Sequence, residues 1–436
     1  MSEPAPDVVP DARPGDLDPL LEAPRLRAVD AFPAEVEGRP VVCLRDPSGV
    51  TEAVLAFPRA LGPILALFDG TRSVADVQAE VMRRHGELIS RGAVESLVRT
   101  LDAHLFLEGP RLQAARARQR AAYLERPARA AFHAGRAYPD EAGALAASLE
   151  GYFTAPDGPG APRGPAGARV RGLIAPHIDF ARGGPAYGWA YRALAESEPP
   201  ECVVVLGTAH AGLDGHAFAV TTKAYETPFG PLAIDTEVVE AFRRRAPGDL
   251  LAAEPAHRSE HSVEFQAVWL QYLRPRAWRG GEVRIVPVLA SFVHECLAAG
   301  RDPATVPEIA GGLAALADAL AASGRRWAVV AGADLAHVGP RFGDARVFGP
   351  AELARVEADD RALLAHAEAG DPAGFFQEAL RQRDRNRVCG LSPIYGLLTL
   401  VSGVRGRVLR YGQAPDPAGT VSFASVSFGG AEAPAG

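Results

Sequence analysis

The spacing of apolar and polar positions changes along the chain and divides it into two parts. Between Leu26 and about Pro110, short apolar runs at 41–44 and 53–57 flank the turn-like Asp46-Pro-Ser-Gly49, which predicts a pair of strands. The period then becomes helical. Val74, Val77 and Val81 share one face behind Ser73, a residue able to accept from the orphan amides of a helix start, and Val94, Leu97 and Leu101 mark a second helix ending near Gly109. Small strands with short helices predict a winged-helix-like α+β domain over 26–110. The acidic, Pro-rich residues 1–25 read as a disordered tail, and the Ala- and Arg-rich 111–128 as a helical or flexible linker.

Beyond a helix closing over Leu145–Phe153 and a Pro- and Gly-rich loop at Thr154–Ala168, short apolar runs alternate with helical stretches. Strands are predicted at Val170–Ala175, Cys202–Leu206, Val283–Leu289, Ala328–Ala331, Val408–Tyr411 and Val421–Phe428. Helices are predicted at Tyr187–Leu194, Val238–Arg244, His261–Leu273, Ile309–Ala322 and Ala351–Ala369. This order implies an α/β domain over 129–430, a mostly parallel sheet flanked by helices.

Chemistry-bearing residues recur where these strands end. Ala175-Pro-His177, Leu206-Gly-Thr-Ala-His210 and Gly332-Ala-Asp334-Leu-Ala-His337 each carry a polar side chain past a strand, where open α/β sheets gather ligands. One such histidine alone is more often a satisfied structural residue; three point to a shared site. Glu260-His-Ser-Val-Glu264 places two acids one helical turn apart beside His261, as either a solvated helix start or the wall of a polar site. Cys389 stands just before a helix start, where amide dipoles stabilise a thiolate.

Composition narrows the setting. The 436 residues are 47% hydrophobic with a net charge of −7, and no apolar run approaches the roughly 18 residues of a membrane span. The acidic balance argues against nucleic acid as the main partner. The start lacks a signal-peptide pattern, and the four cysteines, Cys43, Cys202, Cys296 and Cys389, form no disulfide framework. A cytoplasmic protein is the expectation.

Seven motifs then fall in a familiar order: Ile174-Ala-Pro-His177, Leu206-Gly-Thr-Ala-His210, Tyr225-Glu-Thr-Pro-Phe-Gly230, Glu260-His-Ser-Val-Glu264, Ile285-Val-Pro-Val-Leu289, Asp334-Leu-Ala-His337 and Val388-Cys-Gly390. Their order and spacing resemble the Memo-like proteins, whose prokaryotic branch is named AmmeMemoRadiSam system protein B. Phe132-His-Ala-Gly135 and Tyr138 look like the family's amino-terminal element. The resemblance implies a fold similar to class III extradiol dioxygenases and metal ligands at His177, His210 and Cys389. Glu260, His261, Asp334, His337 and His133 are implied as residues lining the same cleft. Two positions depart from the family pattern: Ala211 replaces a second histidine, and His177-Ile-Asp-Phe180 brings Asp179, an added carboxylate expected near the metal.

Two imidazoles and a thiolate suit iron, copper or zinc. The resemblance ranks iron(II) first and copper next. It implies a redox enzyme of dioxygenase-like type working beside radical SAM and AMMECR1-like partner proteins; a metal- or peptide-binding adaptor without turnover and a thiol hydrolase using Cys389 are the alternatives. Phe68-Asp-Gly-Thr-Arg-Ser-Val-Ala-Asp-Val77 resembles PqqD-like domains, which implies a peptide partner for 26–110 that adds to a strand edge.

Overall fold

A computed structural model describes residues 18–165, 169–279 and 281–429. The chain forms two compact units, Met1–Arg126 and Pro127–Gly436.

In the first unit, α1 (Asp18–Glu22) precedes strands β1 (Asp30–Val36), β2 (Arg39–Arg45) and β3 (Val54–Pro58), which form an antiparallel sheet with β2 in the middle. Helices α2 (Gly62–Leu65), α3 (Val74–His85), α4 (Arg91–Ala103) and α5 (Pro110–Glu125) follow. Ser73 caps α3 by accepting from the Asp76 amide, and the Asp76 carboxylate accepts from the Ser73 amide at 2.9 Å. Val77, Val94, Val98 and Leu101 close the core. Two expectations change here, and one alternative is resolved. Residues 1–17 of the expected tail lie outside the described residues, but its end is helical and buries Leu20. Strand β1 escaped prediction because its residues are mostly exposed and include Pro33. The expected linker is one helix, held by Leu112 and Ala115 against Leu105 and by Gln119 Nε2 donating to the Gly49 carbonyl at 2.7 Å. The turn after β2 is organised by a buried ion pair, Arg27 to Asp46 at 2.6 Å. Burial opposes the charge on Asp46, but Arg27, Ser48 and Thr51 hold its pKa below the usual carboxylate range.

The second unit begins with β4 (Ala128–Arg129), α6 (Ala142–Thr154), β5 (Val170–Ala175), α7 (Phe180–Ala195), β6 (Cys202–Thr208), β7 (Phe218–Val220) and β8 (Ala224–Tyr225). It continues with α8 (Thr236–Arg245), α9 (His261–Ala277), β9 (Arg284–Ala290), α10 (Val293–Ala299), α11 (Pro307–Ala322), β10 (Trp327–Gly332) and β11 (Asp334–Val338). Helices α12 (Pro350–Ala369), α13 (Pro372–Gln382) and α14 (Leu391–Leu400) and strands β12 (Gly406–Asp416) and β13 (Gly419–Gly429) complete it. The main sheet runs β11-β13-β5-β10-β6-β9-β7, with β12 also paired to β13. Its centre, β5, β10, β6 and β9, is parallel, as the alternation predicts. Every residue of β6 is buried, the continuous apolar pattern of a strand covered on both faces. The margins, β13 on β5 and β7 on β9, are antiparallel. The sheet is thus a helix-flanked α/β sheet with antiparallel borders.

Two glycines bring a helix to the strand ends. A Cβ at Gly332 would lie 2.4 Å from the Ser262 carbonyl, and one at Gly207 would lie 2.5 Å from Ser262 Oγ. Only glycine lets the start of α9 seat over the carboxyl ends of β10 and β6. Among the described residues no helix is long and apolar enough to cross a membrane.

Candidate metal centre

The parallel strands deliver two histidines to one point. His177 follows β5 and is 2% exposed; its Nδ1 lies 2.8 Å from the Gly332 carbonyl, which fixes the proton on that nitrogen and turns the Nε2 lone pair inward. Nε2 is 3.1 Å from Cys389 Sγ. His210 follows β6 at an exposed position, and its Nδ1 lies 3.0 and 3.1 Å from the two Glu260 carboxylate oxygens, which leaves Nε2 as its ligand atom. The ligand atoms of His177, His210 and Cys389 lie within 4.8 Å of one another.

Glu260 is the hinge of this arrangement. It caps α9, accepting from the Ser262 amide at 2.9 Å, and also accepts from the His210 amide at 3.0 Å. Burial opposes its charge, but His210 and His261 hold its pKa well below the usual range. Burial would also lower the pKa of His210, yet the Glu260 carboxylate raises it well above the ordinary imidazole value. His177 Nε2 lies 3.7 Å from an Asp334 carboxylate oxygen, yet burial prevails and depresses its pKa to about 3, which keeps the ring neutral. The burial of Cys389 pushes its thiol up, against the pull of His210; the helix-start stabilisation expected from sequence does not prevail.

The cysteine arrives on a constrained loop. Arg383, Asp384 and Arg387 adopt φ of 54°, 43° and 54°, the left-handed region that non-glycine residues rarely occupy. The Asn386 carbonyl accepts from the His337 amide at 2.7 Å, and Arg387 Nε donates to the His337 carbonyl at 2.9 Å. A Cβ at Gly390 would meet the Asp334 carbonyl at 2.4 Å, so glycine is required where the loop touches β11.

The other sequence-predicted residues sort into two groups. Asp334, 1% exposed, accepts from the His177 amide at 2.9 Å, and burial raises its pKa to about 6. His337 donates from Nδ1 to the Leu335 carbonyl at 3.0 Å, and burial lowers its pKa. The His261 ring stacks on His210 with centroids 4.6 Å apart, and burial depresses its pKa well below the ordinary value. His133 sits behind His261, centroids 5.7 Å apart, with Nε2 donating to the Ser259 carbonyl at 2.9 Å. Glu264 leaves the group. It is buried against Arg129 and the Tyr138 hydroxyl and accepts from the His133 amide, so it anchors the segment before α6 rather than the site. Asp179 is also corrected. It caps α7, accepting from the Arg182 amide at 3.1 Å, and pairs with the Arg182 side chain at 2.6 Å, outside both His/Cys/Glu clusters found among the described residues. A residue following a Pro-His and preceding a helix is an N-cap first.

Sequence reasoning missed Gln266, whose amide donates to the Pro176 carbonyl at 2.9 Å while its oxygen accepts from Tyr191 at 2.8 Å. Every residue of α9 from Ser262 to Leu273 is buried, so its position carried no distinguishing signal in the sequence.

The donor set fits a transition metal. Metal–nitrogen and metal–sulfur bonds of about 2.0–2.3 Å require donors no farther apart than roughly twice that, and two neutral-capable imidazoles with one thiol meet the requirement. His210, Glu260 and His261 form a second cluster of similar spacing, but both Glu260 oxygens already serve His210 and one of them the Ser262 amide.

Fold and site together define an α/β protein with a histidine–cysteine cluster at the carboxyl ends of its parallel strands. Residues 129–432 match the family model described as Memo-like protein, and the chain belongs to that family. It is 28% identical over 391 residues to a MEMO1 family protein of Aquifex aeolicus, covering 88% of this chain and 95% of that one. It is 30% identical over 345 residues to one of Thermus thermophilus (78% and 93%) and 30% identical over 306 residues to one of Methanopyrus kandleri (68% and 96%). The Aquifex match is longer than the Memo-like segment and extends into the first unit.

Proposed function

We propose that the protein is a metal-dependent redox enzyme of dioxygenase-like type, with His177, His210 and Cys389 holding iron(II). The observation that carries this reading is the pair of fixed tautomers: Gly332 and Glu260 each occupy an Nδ1, so both Nε2 atoms and the Cys389 sulfur converge as donors. Bound iron(II) supplies one-electron redox chemistry and Lewis acidity. Glu260 orients His210 and balances charge beside it. Asp334, with a pKa near 6, and the neutral His337 and His261 are the groups suited to accept or return a substrate proton. The substrate class is a peptide or small molecule. The first unit serves as the peptide-recognition module, in a system with radical SAM and AMMECR1-like partners.

The test is metal content after anaerobic purification, wild type against Cys389→Ala. About one iron per chain, lost in the variant and accompanied by dioxygen consumption, supports the reading. Stoichiometric metal without turnover replaces it with a metal-binding adaptor, and absence of metal overturns it.

A further inference from the structure

Strand β11 carries Asp334 and His337, three residues apart. In a regular strand such residues face opposite sides of the sheet. Here Asp334 pairs with Phe423 and His337 with Val421, so Leu335 and Ala336 together oppose the single residue Ser422. This is a β-bulge, and it changes the parity of the strand. Ala336 and Val338 pack with Val356 of α12, while Asp334 accepts from the His177 amide and the His337 amide donates to the Asn386 carbonyl, on the loop that carries Cys389. Without the extra residue, regular alternation would turn Asp334 toward α12 with Ala336 and Val338.

A bulge disrupts the ladder and leaves a backbone amide needing another acceptor. The Ala336 amide donates to Ser422 Oγ at 2.8 Å. The Ser422 hydroxyl in turn donates to Asp360 Oδ2 at 2.6 Å, which directs its lone pairs at Ala336. Tyr411 donates to the same oxygen at 2.9 Å. Asp360 is fully buried, and its other oxygen has no hydrogen-bond partner among the described residues. A buried acid with one oxygen unserved is costly to keep on α12 unless its hydrogen bonds do something specific.

We propose that Ser422 and Asp360 are positioning residues of the metal centre, holding the β11 bulge through the Ala336 amide so that Asp334 and His337 face the same cleft. This rests on the metal-centre reading above. It differs from the ligand set: the hydrogen bonds of the Ser422 and Asp360 side chains run to Ala336, to Tyr411 and to each other.

The test uses full-length protein with cobalt(II) as probe, comparing wild type, Ser422→Ala and Ser422→Thr, with thermal melts to confirm folding. Ser422→Ala is expected to weaken cobalt binding by about ten-fold or more, as loss of support around metal ligands does, and Ser422→Thr, which keeps the acceptor, to restore it. In metal-free protein the His337 imidazole signals, assigned with His337→Gln, are followed by NMR. They should move in Ser422→Ala and stay in place in Ser422→Thr. If wild type takes up no cobalt, the metal reading fails, and the imidazole signals alone decide this inference. Unmoved signals with unchanged affinity in Ser422→Ala overturn it, and so do equal losses in both variants, which would assign the effect to packing.

Discussion

Glu260 and Glu264 stand one turn apart on α9, both buried, and organise neighbouring regions in opposite ways. Around Glu264 the partners are Arg129, Tyr138 and the His133 amide, all donors with nothing left to offer a ligand. That region is closed: burial disfavours charge on Arg129, but Glu264 restores it and raises its pKa. Around Glu260 the main partner is His210, which passes on an open Nε2, and His177 and Cys389 stand across from it. Both regions satisfy a buried carboxylate. The difference is whether the satisfying group has a second face, and that separates a closed structural cluster from one with side chains spaced to hold a metal.

The largest expected effect breaks the closed side. Glu264→Gln leaves Arg129 charged and unpaired in the interior and should cost about 3–5 kcal/mol in chemical denaturation. Metal binding by the fraction that stays folded should change far less.

Next in size is a pH effect on the open side. Asp334 is raised from 3.8 to about 6 by burial, so the folded metal-free protein holds that proton more tightly than the unfolded chain. Its contribution is present below pH 3.8 and is lost as the pH rises through 6. Asp334→Asn should therefore gain on wild type between pH 4 and 7.5 by on the order of 2–3 kcal/mol, read from urea midpoints at several pH values. A gap that does not widen with pH would show that Asp334 is not held protonated.

Glu260→Gln keeps a hydrogen-bond acceptor for His210 but removes the charge that raises its pKa. Cobalt(II) titration should show affinity about ten-fold weaker, with a smaller stability cost than Glu264→Gln. Equal effects of the two variants on metal and on stability would erase the distinction between the regions.

The smallest effect belongs to Asp179. As a helix cap paired with Arg182, it should cost about 1 kcal/mol when replaced by alanine and leave cobalt binding unchanged.

The two histidines of the candidate cluster were legible in the sequence because strand ends announce themselves: a short apolar run stopped by Pro176, or by Gly207 and Thr208, forces the next polar residue to the sheet's rim, whereas Cys389 joined them only through the family resemblance. The parallel core was legible for the same reason. Residues that support the site were harder to see. Strand β11 was read as a strand-end motif because Asp334 and His337 interrupt its apolar pattern, and only the partner strand reveals its bulge. Glu260 and Glu264 look alike in sequence, since their fates depend on Arg129, far away in the chain and placed by β4 pairing with β8. Asp179 was misjudged by proximity: the chain bends at Ile178, and the Asp179 carboxylate accepts from the first turn of α7 instead.

The central claim is that His177, His210 and Cys389 act as one donor set with both Nδ1 atoms already engaged. X-ray absorption at the metal edge of the loaded protein tests it most directly. The account predicts one sulfur at about 2.3 Å with two imidazole nitrogens at about 2.0–2.1 Å, the sulfur lost in Cys389→Ser; a metal bound with no sulfur neighbour in the wild type would contradict it.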